Sequence, residues 1–289
     1  MHYYEFFVDL LNNRTQMKTI NLNHTIYAIT ITISVGFTAE AQKLPTVQQA
    51  GLYAPANVKV DGKTTEWGNK FQAYNKNTSV FYTMANDADN LYLVLQATDR
   101  TAIDKILTNK LTLSVFNDKD KNILPVTITT PSMRGNSSFI NSLIKNPSDS
   151  LVNLTNKAFD ANFKELKVTG ISAISDPTIS VYNDYGIKFA GRVDANKAYT
   201  CELAIPIKNV NHLTTLNNLS YKIQLNGLDL NGGVVRVVVN SGSAMKSDGG
   251  AAPANVNALF GQMAANGGPM GELMSDTNFT GTYTLVKNR

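Results

Sequence analysis

The stretch Val80-Phe81-Tyr82-Thr83-Met84-Ala85-Asn86-Asp87-Ala88-Asp89-Asn90-Leu91-Tyr92-Leu93-Val94-Leu95-Gln96-Ala97 sets the architecture. Val80, Tyr82 and Met84 fall on one side of an extended chain. After the polar run from Asn86 to Asn90, Leu91, Leu93, Leu95 and Ala97 repeat the alternation. Period-two patterning interrupted by Asn and Asp predicts a β-hairpin with one buried face.

The same pattern continues outward. Leu111, Leu113 and Val115 alternate with Thr112 and Ser114, a turn spans Asn117 to Asn122, and Val126 and Ile128 resume beyond Pro125, which predicts a second hairpin. Leu166 and Val168 restart the strands. Thr178 to Tyr182 and Ile187 to Val193 flank Asn183-Asp184-Tyr185-Gly186, and Tyr199, Cys201, Leu203 and Ile205 alternate up to Pro206. Tyr221, Ile223 and Leu225 obey the same rule, followed by Val234 to Val239 and by Phe279, Tyr283 and Leu285. Many short strands with frequent turns must stack their apolar faces in pairs. The predicted class is therefore all-β: a two-sheet antiparallel β-sandwich, jelly-roll or immunoglobulin-like, over residues 55–289. Two excursions interrupt it. Residues 132–162 lose the alternation and carry spacings suited to short helical turns, a helical insertion. Residues 241–276, rich in Gly, Ala, Asn and Met, read as a flexible loop, and residues 42–57 as a loose lead-in.

Composition bounds the function. With 43% hydrophobic residues in 289, the chain closes a sizeable core. The net charge of +4 comes from Lys and Arg scattered among Asp and Glu, a solvated surface that argues against nucleic acid as a partner. One cysteine, Cys201, excludes an internal disulfide framework and any Cys-x-x-Cys site.

The apolar run from Ile26 to Phe37, followed by Ala39-Glu40-Ala41, has the form of a secretory signal peptide over residues 17–41; an uncleaved N-terminal anchor is the alternative. Translation is expected to start at Met17, with residues 1–16 as an extension. No later run reaches the ~20 apolar residues of a spanning helix, so no stable membrane insertion is expected after cleavage. The expected location is periplasmic, outer-surface or extracellular.

Three segments together resemble the family 9 carbohydrate-binding modules and the sandwich domains similar to them. They are Val60-Asp61-Gly62-Lys63 with Glu66-Trp67, an Asp-Gly turn leading to a buried Trp; Ala88-Asp89-Asn90-Leu91-Tyr92-Leu93-Val94 running to Asp99; and Tyr199-Thr200-Cys201-Glu202-Leu203-Ala204-Ile205-Pro206, a strand ending in Ile-Pro. The resemblance implies a secreted jelly-roll-like domain, found beside sugar-active enzymes or alone. The chain is also similar to exported proteins of Bacteroidetes type with a Gly/Met-rich loop before the last strand. Sugar-binding members clamp a sugar between two Trp side chains; here there is one Trp, and Trp67 matches the opening motif rather than the clamp.

The expected function is non-catalytic glycan binding, with stacking faces from Trp67, Tyr182 and Tyr185 and hydrogen bonds from Asp184, Asn226 and Asp229. Trp67, near Phe71 and Tyr74, reads more readily as a core plug than as a stacking face. Asp87, Asp89 and Asn90 are an oxygen-rich turn where a structural Ca²⁺ would sit. Asp118, Asp120 and Asn122 share the spacing of an EF-hand start but lack its Gly and terminal Glu, having Ile123 and Thr129 instead. Asx turns account for both clusters without metal. Glu202 reads as a structural carboxylate satisfied by backbone or a basic side chain. The alternatives are an envelope assembly protein contacting a protein partner through residues 241–276, or a haem or metal carrier using Met84 with His212, or Met245, Met263, Met270 and Met274.

Overall fold

The computed structural model describes residues 43–133, 148–228 and 269–287. The predicted sandwich is what it shows: a five-stranded and a six-stranded antiparallel sheet with few helices. The strands are β1 (Ala73–Asn75), β2 (Val80–Asn86), β3 (Asn90–Ala97), β4 (Leu111–Phe116), β5 (Val126–Thr129), β6 (Glu165–Thr169), β7 (Thr178–Ser180), β8 (Lys188–Val193), β9 (Tyr199–Pro206), β10 (Asn218–Leu225) and β11 (Thr277–Thr284). One sheet runs β1-β2-β3-β9-β8 and the other β11-β10-β4-β5-β6-β7.

Both expected hairpins form, with Tyr82 opposite Leu95 and Leu113 opposite Ile128. Between the sheets, Val80, Tyr82, Met84, Leu93 and Leu95 of one pack with Leu113, Val115, Tyr221 and Ile223 of the other in a single buried cluster. Tyr82 and Tyr221 join the layers through hydroxyls 2.9 Å apart, and the Gln48 N–H donates to the Tyr82 oxygen at 2.9 Å. Buried hydroxyls need such partners, because an unmatched one costs about 1–3 kcal/mol. Gly281 lies opposite Tyr221, and a Cβ there would stand 2.3 Å from the Tyr221 hydroxyl. Only glycine lets that ring pass.

The outer face of the five-stranded sheet is also apolar. Ala85, Tyr92, Val94 and Ala204 are buried there beneath Ala54 and Trp67, with Leu52, Val58, Val60 and Phe71 packed against them. The lead-in expected to be loose is therefore a cover for that face.

Two strand edges are finished by side-chain amides. Gln48 accepts from the Met84 N–H and donates to the Met84 carbonyl, both at 2.8 Å, on β2 beyond the reach of β1. Asn156 does the same at Val193 on β8, accepting and donating at 2.9 Å. An amide used this way replaces a neighbouring strand and blunts the edge.

Three α-helices accompany the sheets among the described residues: α1 (Arg100–Asn109), α2 (Asp149–Asn162) and α3 (Pro269–Met274). The sequence reading left α1 unassigned. Asp99 caps it by accepting from the Ala102 N–H, and Ile103, Ile106 and Leu107 bury one stripe. Lys105, only 2% exposed, donates to the Ser275 carbonyl at 2.7 Å and to the Thr277 hydroxyl at 2.9 Å, tying α1 to the start of β11. In the insertion, short helical turns were expected, and Asp149–Asn162 instead forms one continuous helix capped by Ser148, with Thr155 and Phe159 buried. Its stacked Phe159 and Phe163 rings, 4.7 Å apart, anchor it. The glycine-rich stretch ends in α3, so its last part is helical rather than loop. The expected leader, the strand Val234 to Val239 and residues 241–268 lie outside the described residues. Among the described residues no helix is long and apolar enough to cross a membrane.

Candidate functional site

The three sequence segments that carry the family resemblance meet at one carboxylate. On β9, Tyr199, Cys201 and Leu203 face the core, so Glu202 projects outward beneath the cover. Its Oε2 accepts from the Asp61 N–H at 2.9 Å and the Gly62 N–H at 2.8 Å, and its Oε1 accepts from the Trp67 indole at 2.8 Å. Trp67 in turn sits edge-on to Tyr92, centroids 5.9 Å apart, and the Tyr92 hydroxyl donates to Asp87 at 2.7 Å. Burial pushes the Glu202 carboxyl above its ordinary value, against the lowering pull of these N–H donors. The result is a structural clamp. Trp67, 8% exposed with its N–H committed, fills the cover and offers no stacking face to a ligand.

The other candidates separate. Asn183 supplies the local order at the corner where the chain leaves β7 in one sheet for β8 in the other. Its amide donates to the Ser180 and Ile187 carbonyls at 2.9 and 2.8 Å, and its oxygen accepts from the Tyr185 and Ile187 N–H groups at 3.1 and 3.2 Å. That knot presents Asp184 to solvent and holds Tyr185 half-buried against the core. Facing it is the β2–β3 turn, fastened by the Ile207 N–H donating to the Asp89 carbonyl at 2.7 Å.

Between these loops lies an end groove of about 590 Å³, lined by Asp89, Asn90, Asp184, Tyr185, Lys188 and Lys208, with Gly186, Pro206, Ile207 and Asn211 completing it. Ligand sites typically fall between ~300 and ~1,000 Å³. The structure thus joins Asp184 and Tyr185, expected to bind sugar, to Asp89 and Asn90, expected to hold a cation. Sequence reading missed Lys188, Lys208 and Asn211. Their only signal was adjacency to the Gly186 corner and to the Ile-Pro strand end.

Tyr182 lies outside that lining: it is 80% exposed, with the Lys164 ammonium 5.7 Å from its ring centroid. Asn226 is at the opposite end of the sandwich. It follows Leu225, which pairs with Leu111 and Thr277, whereas the groove end is marked by Asn86 bonded to Tyr283 beside Leu219. There Asn226 donates to Thr112 at 3.0 Å and accepts from Gln224 at 2.9 Å. Asp229 lies outside the described residues.

Of the proposed cation ligands, Asp87 is occupied by the turn itself. Asp87 Oδ1 accepts from the Asp89 and Asn90 N–H groups at 2.8 and 2.6 Å, and Oδ2 accepts from Tyr92, the pattern of an Asx turn. Asp120 likewise accepts from Asn122 within its own loop. Among the described residues no group of three or more His, Cys, Asp or Glu side chains converges as for a metal. Met84 is fully buried in the core while His212 is exposed, so the two do not form an axial pair for haem. Met245 and Met263 lie outside the described residues.

No protein-family model matches the chain, and no curated protein or solved structure shows significant similarity to it.

Proposed function

We propose that this chain is an exported, non-catalytic domain that binds glycan through the end groove. The observation that carries the reading is the convergence of Tyr185 with Asp89, Asn90, Asp184, Lys188 and Lys208 on one concave surface of ligand size. A half-buried phenol gives a flat apolar face for a pyranose ring, and carboxylates, amides and ammoniums exchange hydrogen bonds with its hydroxyls. Loops held by a rigid scaffold are where such recognition belongs.

The similarity to family 9 carbohydrate-binding modules is part of the same proposal. Its support is that the Asp-Gly turn, the Trp and the Glu-x-x-Ile-Pro strand are joined by the Glu202 hydrogen bonds. The non-catalytic reading is supported by that carboxylate's use as a clamp. Export is supported by the run Ile26–Phe37 with Ala39-Glu40-Ala41. A glycan array with the purified domain tests the function, with hits expected that Tyr185→Ala loses. An array without hits would end the glycan reading. N-terminal sequencing of the secreted product tests export, with a mature end just after Ala41 expected.

A further inference from the structure

A second concave site lies on the outer face of the five-stranded sheet, away from the end groove. Its floor is a cross-strand row: Gln96 on β3 pairs in register with Thr200 on β9, which pairs with Arg192 on β8. Leu95, Cys201 and Val193 face the core, so these three point outward. One wall is the loop Gly62–Asn69, pinned by the Glu202 clamp. The other wall is α2, docked through Asn156 onto Val193, together with Asp194. The enclosed volume is about 370 Å³, lined by Lys63, Thr64, Thr65, Asn69, Gln96, Asn156, Arg192, Asp194 and Thr200, with Gly62 and Val193.

The lining states what fits. The cations are already matched: Lys63 pairs with Asp61 at 3.3 Å, and Arg192 pairs with Asp160. Asp194 adds one negative charge, so an anion meets no surplus of positive charge here. Several hydrogen-bonding atoms remain without a protein partner. Gln96 donates to Thr200 at 2.9 Å and Asn69 accepts from Thr64 at 2.5 Å, which leaves the Gln96 oxygen, the Thr200 hydroxyl proton and the Asn69 amide protons open to the cavity. Asp194 uses one oxygen on the Ala198 N–H and keeps the other. The lining thus offers both donors and acceptors.

We propose that this sheet-face cavity is a second binding site, taking a neutral polyhydroxyl ligand, a sugar, by hydrogen bonding without aromatic stacking. It stands apart from the end-groove reading, since the two sites share no residue. The test is a ¹⁵N-resolved NMR titration of the full domain with a panel of neutral sugars, maltose and cellobiose among them, and with glucuronate and sulfate as anionic probes. Neutral sugars are expected to shift the amides of Lys63–Asn69, Gln96 and Thr200. Those shifts should be lost in Gln96→Ala and in Asn69→Gly, which keeps the backbone at its φ of 54° while deleting the side chain. They should persist in Tyr185→Ala. Retention of the near-ultraviolet signal of Trp67 certifies that each variant is folded. Shifts confined to Asp89, Asp184–Lys188 and Lys208 would overturn the second site and leave the end groove standing. No shift with any sugar would overturn both, and a stronger response to the anions would overturn the neutral class.

Discussion

Glu202 ties the cover, through its Asp-Gly turn and Trp67, to strand β9. It is 2% exposed and accepts two backbone N–H groups and one indole N–H, so its removal leaves two buried donors and one half-buried donor unmatched. Glu202→Ala is expected to cost about 3 kcal/mol or more in denaturant unfolding, at the scale of lost charged hydrogen bonds. Its pH dependence has a definite sign. A carboxyl whose value is raised by burial binds its proton more tightly folded than unfolded, so its contribution to stability grows as pH falls through the raised value toward that of the unfolded chain. The stability gap between the wild type and Glu202→Gln should therefore shift in favour of the wild type on mild acidification. A gap flat across that window would show that the folded and unfolded values coincide. Tyr82 invites a second test. Tyr82→Phe strips the acceptor from the Gln48 N–H and the partner from Tyr221, for an expected loss of about 1–2 kcal/mol.

At the scale of elements, the edges and the excursions decide behaviour. The Asn156 amide stands in for a neighbouring strand at Val193 and docks α2 onto β8. Asn156→Ala should leave the sheet intact while speeding hydrogen exchange at the Val193 amide by at least tenfold, the equivalent of about 1.4 kcal/mol of local opening. Unchanged exchange would mean that the aromatic contacts of Phe159 and Phe163 and the Asp160–Arg192 pair hold α2 without Asn156. Gly281→Ala forces a Cβ to within 2.3 Å of the Tyr221 hydroxyl, so the ring or β11 must move. The expected cost, about 1–3 kcal/mol as in other overpacked sites, is read from the unfolding midpoint.

For the whole molecule, the separation of core from rim predicts separable phenotypes. Tyr185→Ala at the rim should abolish glycan binding while costing only about 1–2 kcal/mol for its partial burial, whereas Trp67→Ala should destabilise the fold by about 3–5 kcal/mol. Equal losses of stability in both would sink the assignment of Tyr185 to recognition. The sandwich, both hairpins and most strand positions were legible in the sequence, because a half-buried strand must alternate and residues such as Leu91, Leu93 and Leu95 do. The helix α1 was harder to read, since ten residues between two strong strands carry only one short apolar stripe. The site was least legible. Asp89 and Asn90 lie nearly a hundred residues from Asp184 and Tyr185 along the chain, and they share a groove only because β3 pairs with β9 while the chain changes sheets between β7 and β8. Alternation along a strand is a local property written residue by residue, so sequence alone determined the two-layer β class and the buried faces. Which loops meet at the rim, and whether Trp67 is buried or exposed, depends on strand order, and strand order is set by packing energy summed over the whole core.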